Sequence, residues 1–141
     1  MTGFLDALTD MFKPVRLKVL VADDSALQMS VLKKMLDELG HYPILAEKPE
    51  DVVGLAMDNR PDLIFLDMNM GRMSGIDVIE RLKMDERLAK IPVAVCTFEQ
   101  AGVTEKAAMR LGATAYLEKP LRIEALKKLL APLEKEKRAR P

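Results

Sequence analysis

The chain has few of the residues that build disulfides, soft-metal sites or membrane spans. It contains one cysteine, one histidine and no tryptophan among 141 residues. A single cysteine excludes an internal disulfide and suits a reducing compartment, so we expect a cytoplasmic protein. A single histidine excludes a histidine-rich metal site within one chain. No apolar run reaches the roughly 18 residues typical of a membrane span, and the N-terminus lacks the pattern of a secretory signal.

The chain also lacks an excess of charge of either sign. Acidic and basic residues number 22 each, so neither nucleic acid nor an anionic membrane is expected as the main partner. The hydrophobic fraction of 49% and the charged fraction of 31% fit an ordinary globular protein. The length allows one domain with a sizeable core.

Short apolar runs alternate with helical patterns five times. The runs predict strands over residues 17–23, 42–46, 62–67, 92–97 and 114–118. The intervening patterns predict helices from Ser25 to Gly40, over 49–59, 75–84 and 102–111, and from about Arg122 to an end or kink at Pro132. Strands that alternate with helices form right-handed crossovers, which predicts an α/β protein with a parallel sheet covered on both faces.

Two segments lie outside this alternation, so we divide the chain into an extension (1–14), a core domain (15–132) and a charged tail (133–141). Residues 133–141 are expected to be frayed or disordered. Residues 2–12 predict a helix with Phe4, Leu5, Leu8, Met11 and Phe12 on one face. That face predicts docking on the core domain or on another chain, which includes a homodimer; the alternative is a leader without a docking role. Its polar face carries Asp6 and Asp10 and no cation, which argues against an anionic membrane.

Polar residues stand at the ends of four of the predicted strands. Asp23 and Asp24 end the first, Asp67 the third and Thr97 the fourth, while Lys119 follows the fifth. The carboxyl ends of parallel strands meet at one edge of a sheet, where functional groups gather. Three carboxylates this close would repel one another unless a cation lay between them. Oxygen ligands without histidine or thiolate favour Mg²⁺.

This set of side chains suits phosphoryl transfer to a carboxylate. Asp67 is the predicted acceptor, because an aspartate can attack phosphorus and form an acyl phosphate. Asp23 and Asp24 are the predicted metal ligands, with the backbone carbonyl of Asn69 as a further oxygen. The Lys119 ammonium and the Thr97 hydroxyl would neutralise or bind the phosphoryl oxygens.

Taken singly, each of these residues has an ordinary structural interpretation. A strand-ending aspartate such as Asp24 often forms a turn or caps a helix. We interpret Cys96 as a core residue and His41 as a loop residue. Met68, Met70 and Met73 are interpreted as packing residues rather than a redox device. Only the combination of the strand-end residues, in this order, favours function.

The residues that carry this combination resemble the receiver domains of two-component response regulators, the CheY-like family. The resemblance covers about residues 16–131, through the segments VLVADDSALQMSVLKKML, LIFLDMNMGRMSGIDVIERLK, VAVCT and AYLEKP. It implies a (βα)5 flavodoxin-like three-layer sandwich with strand order 2-1-3-4-5, to which this chain adds an N-terminal helix.

The resemblance also implies how the domain works. Asp67 would take a phosphoryl group from a phosphohistidine on a histidine kinase or phosphotransfer protein, with Mg²⁺ held by Asp23, Asp24, Asp67 and the Asn69 carbonyl. Thr97 and Tyr116 would be the switch residues, and the Lys119–Pro120 bond would be cis. The domain would promote its own phosphorylation and dephosphorylation, and would signal by binding a downstream protein rather than act as an enzyme.

Two departures from the family pattern leave alternatives open. Gly71 stands where proline is usual, which favours a more flexible loop. Phe98 stands where a small residue is usual, so its ring would restrict the phosphoryl site or fill the space that Tyr116 needs. The first alternative is therefore a receiver-like scaffold with altered or phosphate-independent switching. A phosphatase of the haloacid-dehalogenase type and an electron-transfer flavoprotein are weaker alternatives, since position 69 is Asn and no Ser/Thr/Gly-rich phosphate loop is present.

Overall fold

The computed structural model describes residues 3–11, 14–71, 73–100 and 102–140. The strands are β1 (Lys18–Ala22), β2 (Tyr42–Ala46), β3 (Leu63–Leu66), β4 (Asn69–Met70), β5 (Met73–Ser74), β6 (Val93–Thr97) and β7 (Ala115–Glu118). The helices are α1 (Phe4–Met11), α2 (Ala26–Glu38), α3 (Val52–Asn59), α4 (Gly75–Met84), α5 (Val103–Arg110) and α6 (Ile123–Ala139), and a 3-10 helix covers Pro49–Asp51. Within these residues, no helix is long and apolar enough to cross a membrane.

Five strands form one parallel sheet in the order β2-β1-β3-β6-β7. Counting only these five strands along the chain, the order is 2-1-3-4-5, so the predicted topology is confirmed. The two remaining strands, β4 and β5, have two residues each and pair as an antiparallel hairpin shortly after β3. The hairpin lies at the carboxyl edge of the sheet, where the predicted site is expected.

Alternate strand residues pack into two separate cores, one on each face of the sheet, because successive side chains of a strand point to opposite faces. On one face Leu20 and Leu66 pack with residues of α3 and α4, such as Ala56 and Ile79. On the other face strand and helix residues pack together; they are Val19, Val21, Phe65, Cys96, Leu36 and Leu126. Both faces of the sheet are therefore covered, as the near-continuous apolar strands predict.

The last helix continues past Pro132 to Ala139. Of the end or kink predicted at Pro132, the end is therefore wrong, and the predicted frayed tail is wrong for residues 133–139. Proline removes one helical hydrogen bond, but contacts beyond it hold the helix in place. Glu134 bonds the imidazole of His41, and the Lys137 ammonium pairs with Asp62 at 2.7 Å. These long-range contacts outweigh the local signal of the proline.

His41 lies in the loop between α2 and β2, as predicted, but its side chain is buried and anchors two parts of the chain. Its Nδ1 accepts the backbone N–H of Leu17 at 3.0 Å, which places the proton on Nε2. Nε2 lies 2.8 Å from Oε2 of Glu134. His41 therefore joins the segment before β1 to the end of α6.

The predicted N-terminal helix is present as α1, but its apolar side chains are exposed. Phe4 is 77% exposed and Leu5 is 75% exposed, while Leu8 is partly buried. The remaining members of the predicted stripe, the Met11 side chain and Phe12, lie outside the described residues. The side chains of Phe4 and Leu5 therefore present most of their apolar surface to solvent.

Candidate functional site

The strand-end residues meet at one edge of the sheet, as predicted. Asp23 follows β1, Asp67 follows β3, Thr97 is the last residue of β6 and Lys119 follows β7. Because these four strands are neighbours in the sheet, their ends lie side by side. Asp23, Asp67 and Thr97 are buried, although each is polar. Buried polar side chains need partners.

The Lys119 ammonium bridges the two buried carboxylates. Its Nζ donates to Oδ2 of Asp67 at 2.9 Å and also to Oδ2 of Asp23. Burial alone would lower the pKa of Lys119, but the hydrogen bonds that its ammonium donates to Asp23 and Asp67 outweigh burial and raise that pKa. The ammonium therefore stays charged. The Lys119–Pro120 bond is cis, as the resemblance implies.

The other oxygen of each carboxylate is held by a backbone N–H group. Oδ1 of Asp23 accepts the N–H of Ser25 at 2.9 Å, and Oδ1 of Asp67 accepts the N–H of Asn69 at 3.0 Å. Ser25 in turn caps α2, since its side chain accepts the N–H of Gln28. The start of α2 and the loop after β3 thus fix how both carboxylates point.

The third predicted carboxylate does not join this pair. Asp24 is exposed, and its Oδ2 lies 4.0 Å from where a Cβ atom on Gly71 would stand. In the described part of the chain, no three His, Cys, Asp or Glu side chains are grouped so as to hold a metal ion. Only two of the three carboxylates cluster, because Lys119 binds both and Asp24 faces the neighbouring loop. All three nonetheless offer hard oxygen donors, which is the donor chemistry that Mg²⁺ prefers.

Glu99 connects three predicted site residues, and the sequence did not single it out. Its backbone N–H donates to the Thr97 hydroxyl at 3.4 Å, and its backbone carbonyl accepts the Tyr116 hydroxyl at 3.1 Å. Its carboxylate accepts the side-chain N–H of Asn69 at 2.8 Å. Burial raises the pKa of Tyr116, and the nearby charge of Glu99 raises it further. No motif marks Glu99, because two of its three contacts use only its backbone.

Phe98 lies directly over the bridging lysine. The Lys119 Nζ is 5.3 Å from the centroid of the Phe98 ring, a distance typical of a cation–π contact. The ring is 62% exposed, so it covers the ammonium from the solvent side. Phe98 thereby adds a third group around a lysine that the two carboxylates already hold.

Gly75 allows α4 to start close against the loop that follows β3. A Cβ atom at this position would lie 2.8 Å from Sδ of Met68 and 2.9 Å from the backbone oxygen of Asp67. Real Cβ atoms do not approach backbone so closely, so only glycine fits without a shift. The Gly75 N–H also donates to the Met68 carbonyl at 2.9 Å. This contact fixes the loop that carries Asp67.

Cys96 and the methionines behave as packing residues. Cys96 is buried, and burial raises the pKa of its thiol to about 11, so it stays protonated and unreactive at neutral pH. Met68 and Met70 are buried in the core, and Met73 packs against it. Their predicted structural interpretation is confirmed.

The chain belongs to the response regulator receiver family, whose sequence pattern it matches over residues 19–131. It is 33% identical over 113 residues to protein PilH of Pseudomonas aeruginosa, an overlap that covers 80% of this chain and 93% of that protein. It is 32% identical over 106 residues to the polar-differentiation response regulator DivK of Brucella anthropi, which covers 74% of this chain and 85% of that one.

Solved structures show the same relationship. The fold is similar to that of the chemotaxis protein CheY4 of Vibrio cholerae, with a TM-score of 0.78 and 27% identity, over 84% of this chain and 99% of that one. The resemblance read from the strand-end residues is therefore confirmed, as is the flavodoxin-like fold. Receiver domains are signalling domains of response regulators. The comparisons therefore favour the receiver prediction over the phosphatase and flavoprotein alternatives.

Proposed function

We propose that this domain accepts a phosphoryl group on Asp67 from a phosphohistidine of a histidine kinase or phosphotransfer protein. The contact of the Lys119 ammonium with the Asp67 carboxylate, at 2.9 Å, is the observation that carries the proposal. A carboxylate oxygen of Asp67 attacks phosphorus, the bond from phosphorus to the imidazole nitrogen breaks, and an acyl phosphate forms. The imidazole leaves on the partner protein. Lys119 then compensates negative charge on the phosphoryl oxygens.

The acidic residues of the site provide a place for Mg²⁺. Asp23 and Asp67 bring two negative charges against one ammonium, and Asp24 stands exposed on the next loop. We assign Asp23, Asp24, Asp67 and the Asn69 carbonyl as its ligands. When bound there, Mg²⁺ would supply positive charge against the phosphoryl oxygens. Replacing Asp23 or Asp24 by Ala is expected to weaken Mg²⁺ affinity in a binding titration, and unchanged affinity in the double variant would place the metal elsewhere.

Thr97, Tyr116 and Glu99 would pass the change at Asp67 to the protein surface. The Thr97 hydroxyl would donate its proton to a phosphoryl oxygen, and its movement toward that oxygen would lengthen the 3.4 Å bond that it accepts from the Glu99 N–H. Glu99 also holds Tyr116 and Asn69, so a shift of this segment alters both. The surface formed by α5, β7 and α6 then presents a different face to a downstream protein.

Intact mass spectrometry tests the assignment of Asp67. We expect one phosphoryl adduct after incubation with a phosphorylated kinase and Mg²⁺, and no adduct with Asp67→Asn. Asp37→Asn is a matched control, because Asp37 lies on the surface of α2 in an ion pair with Lys33. An adduct that survives Asp67→Asn would disprove the assignment.

A receiver-like scaffold with altered switching is the second candidate, and the position of Phe98 favours it. The ring covers the Lys119 ammonium that would bind the phosphoryl group. In this case the domain would bind its downstream partner equally well with and without phosphate. A binding assay with wild-type protein and Asp67→Asn separates the two candidates once a partner is identified.

We also propose that residues 1–14 form an extension separate from the receiver domain of residues 15–132. The exposure of Phe4 and Leu5 supports docking on another chain. Deleting residues 1–13 and measuring solution mass tests this proposal. A fall in solution mass from dimer to monomer would indicate that the helix holds a dimer together. An unchanged oligomeric state and an unchanged melting temperature would indicate a leader or a site for another protein.

A further inference from the structure

A second polar site lies at the opposite edge of the sheet, where the parallel strands begin. A groove of about 380 Å³ is lined by Arg16, Lys18, Tyr42, Asn59 and Lys137. Each residue comes from a different part of the chain: the segment before β1, the first residues of β1 and β2, the last residue of α3, and the final turns of α6. The fold therefore assembles this groove as it assembles the site around Asp67.

The groove concentrates positive charge in a chain whose net charge is zero. Three of its five lining residues are cations, and none is a carboxylate. Lys18 Nζ donates to the backbone carbonyl of Asn59 at 3.2 Å, and the Arg16 guanidinium lies 5.1 Å from the centroid of the Tyr42 ring. Among the residues that the structure describes, no carboxylate pairs with Arg16 or with the Lys18 ammonium, so their charges are available to an anion.

The third cation is held in place by hydrogen bonds and ion pairs behind the groove. Oδ2 of Asp62 accepts both the backbone N–H of Lys18 at 2.8 Å and the Lys137 ammonium at 2.7 Å. His41, whose side chain is fully buried, ties the end of α6 to the start of β1 through Glu134 and Leu17. The groove is therefore preorganised, which lowers the entropic cost of binding a ligand.

We propose that this groove binds a compact phosphate dianion, either free phosphate or the phosphate group of a small ester. Arg16 and Lys18 provide charge-assisted donors to its oxygens, while Lys137, paired with Asp62, lines the groove beside them. Tyr42 provides a hydroxyl and an aromatic wall that suits the organic part of an ester. The volume fits a small ligand. The site is independent of Asp67, because it lies at the other edge of the sheet.

An NMR titration of the full chain at low ionic strength, without Mg²⁺, tests the proposal. The probes are inorganic phosphate, AMP and a poly-glutamate peptide. We expect saturable shifts of the backbone amides of Lys18 and Tyr42 with phosphate or AMP. The double variant Arg16→Gln, Lys18→Gln should weaken that binding by roughly a hundredfold, since each lost charged hydrogen bond is worth about a factor of ten.

A second double variant, Lys106→Gln, Arg110→Gln, is the matched control, because it removes two exposed cations from α5 instead. It should leave the affinity unchanged. Binding of phosphate supports the free anion, and binding of AMP alone supports an ester. Absence of shifts, equal weakening by the control, or binding of poly-glutamate alone would each overturn the proposal.

Discussion

The two edges of the sheet carry opposite excess charges, and at each edge one side chain forms ion pairs with two groups of the opposite sign. At the carboxyl edge, two buried carboxylates share the ammonium of Lys119. At the amino edge, the carboxylate of Asp62 meets Lys137 at 2.7 Å and Arg140 at 3.7 Å. One edge keeps an excess of negative charge, which suits a metal ion, and the other keeps an excess of positive charge. A chain without net charge can therefore carry two strongly polar sites.

Removing the bridging lysine should have the largest effect on stability. Lys119→Met leaves Asp23 and Asp67 buried without a counter-charge, and we expect it to lower the free energy of unfolding by about 3 kcal/mol. The pKa of Lys119 is raised in the folded protein, so its contribution is complete below the ordinary lysine value near 10.5 and is lost as pH rises through the folded value. Urea unfolding from pH 7 to pH 11 measures both.

That prediction has a clear contrary outcome. If the variant and the wild-type protein differ in stability by the same amount at pH 7 and at pH 11, the loss comes from packing and not from charge. The double variant Lys119→Met, Asp23→Asn should recover part of the lost stability, because it removes one of the two uncompensated carboxylates.

The amino edge should be sensitive at His41. His41→Ala leaves the buried N–H of Leu17 without an acceptor and removes the bond to Glu134, so we expect a loss of about 2 kcal/mol. Phosphorylation of Asp67 should keep its wild-type rate, since His41 lies at the other edge. Asp37→Ala, which removes an exposed ion pair of α2, should change stability by no more than about 0.5 kcal/mol. Slower labelling of Asp67 in His41→Ala would show that the two edges are coupled.

A methyl group at Gly75 tests how tightly the carboxyl edge is built. Gly75→Ala must move Met68 or the Asp67 carbonyl, and we expect it to cost about 1–2 kcal/mol and to slow labelling of Asp67. Gly54→Ala is the matched control, because a Cβ atom there meets nothing within 4 Å. It should stabilise α3 by about 0.5–1 kcal/mol. Equal changes in melting temperature for the two substitutions would show that the loop after β3 accommodates the methyl group without a loss of stability.

Phe98→Ala should change stability least and kinetics most. The exposed cation–π contact with Lys119 is worth about 0.5 kcal/mol. Removing the ring should open the ammonium to small phosphate donors, so labelling by acetyl phosphate or spontaneous dephosphorylation should become faster. Equal rates in both proteins, followed by mass spectrometry, would show that the ring does not restrict the site.

The same comparison explains which features the sequence could predict. Asp23, Asp67, Thr97 and Lys119 stand directly at the ends of apolar runs, so local pattern alone located them. The amino edge has no such signal, because Glu134 and Lys137 follow a proline that normally ends a helix. Their roles depend on distant partners, because His41 is 93 residues from Glu134 and Asp62 is 75 residues from Lys137 along the chain.

At the carboxyl edge, the sequence predicted which residues meet there better than it predicted the contacts they make. It proposed three clustered carboxylates, whereas the structure pairs two of them with Lys119 and leaves Asp24 exposed. It did not identify Glu99, whose backbone groups serve Thr97 and Tyr116. Backbone partners depend on loop geometry rather than on residue type, and for that reason residue type does not reveal them.

The two tyrosines lie near opposite edges of the sheet, so tyrosine fluorescence can monitor each edge. Tyr42 lines the groove at the amino edge, and the Tyr116 hydroxyl bonds to Glu99 near the carboxyl edge. The chain contains no tryptophan, so no indole masks tyrosine emission. Single Tyr→Phe variants would leave one fluorophore at a chosen edge. Ultraviolet fluorescence of the unlabelled protein would then follow events at either edge separately.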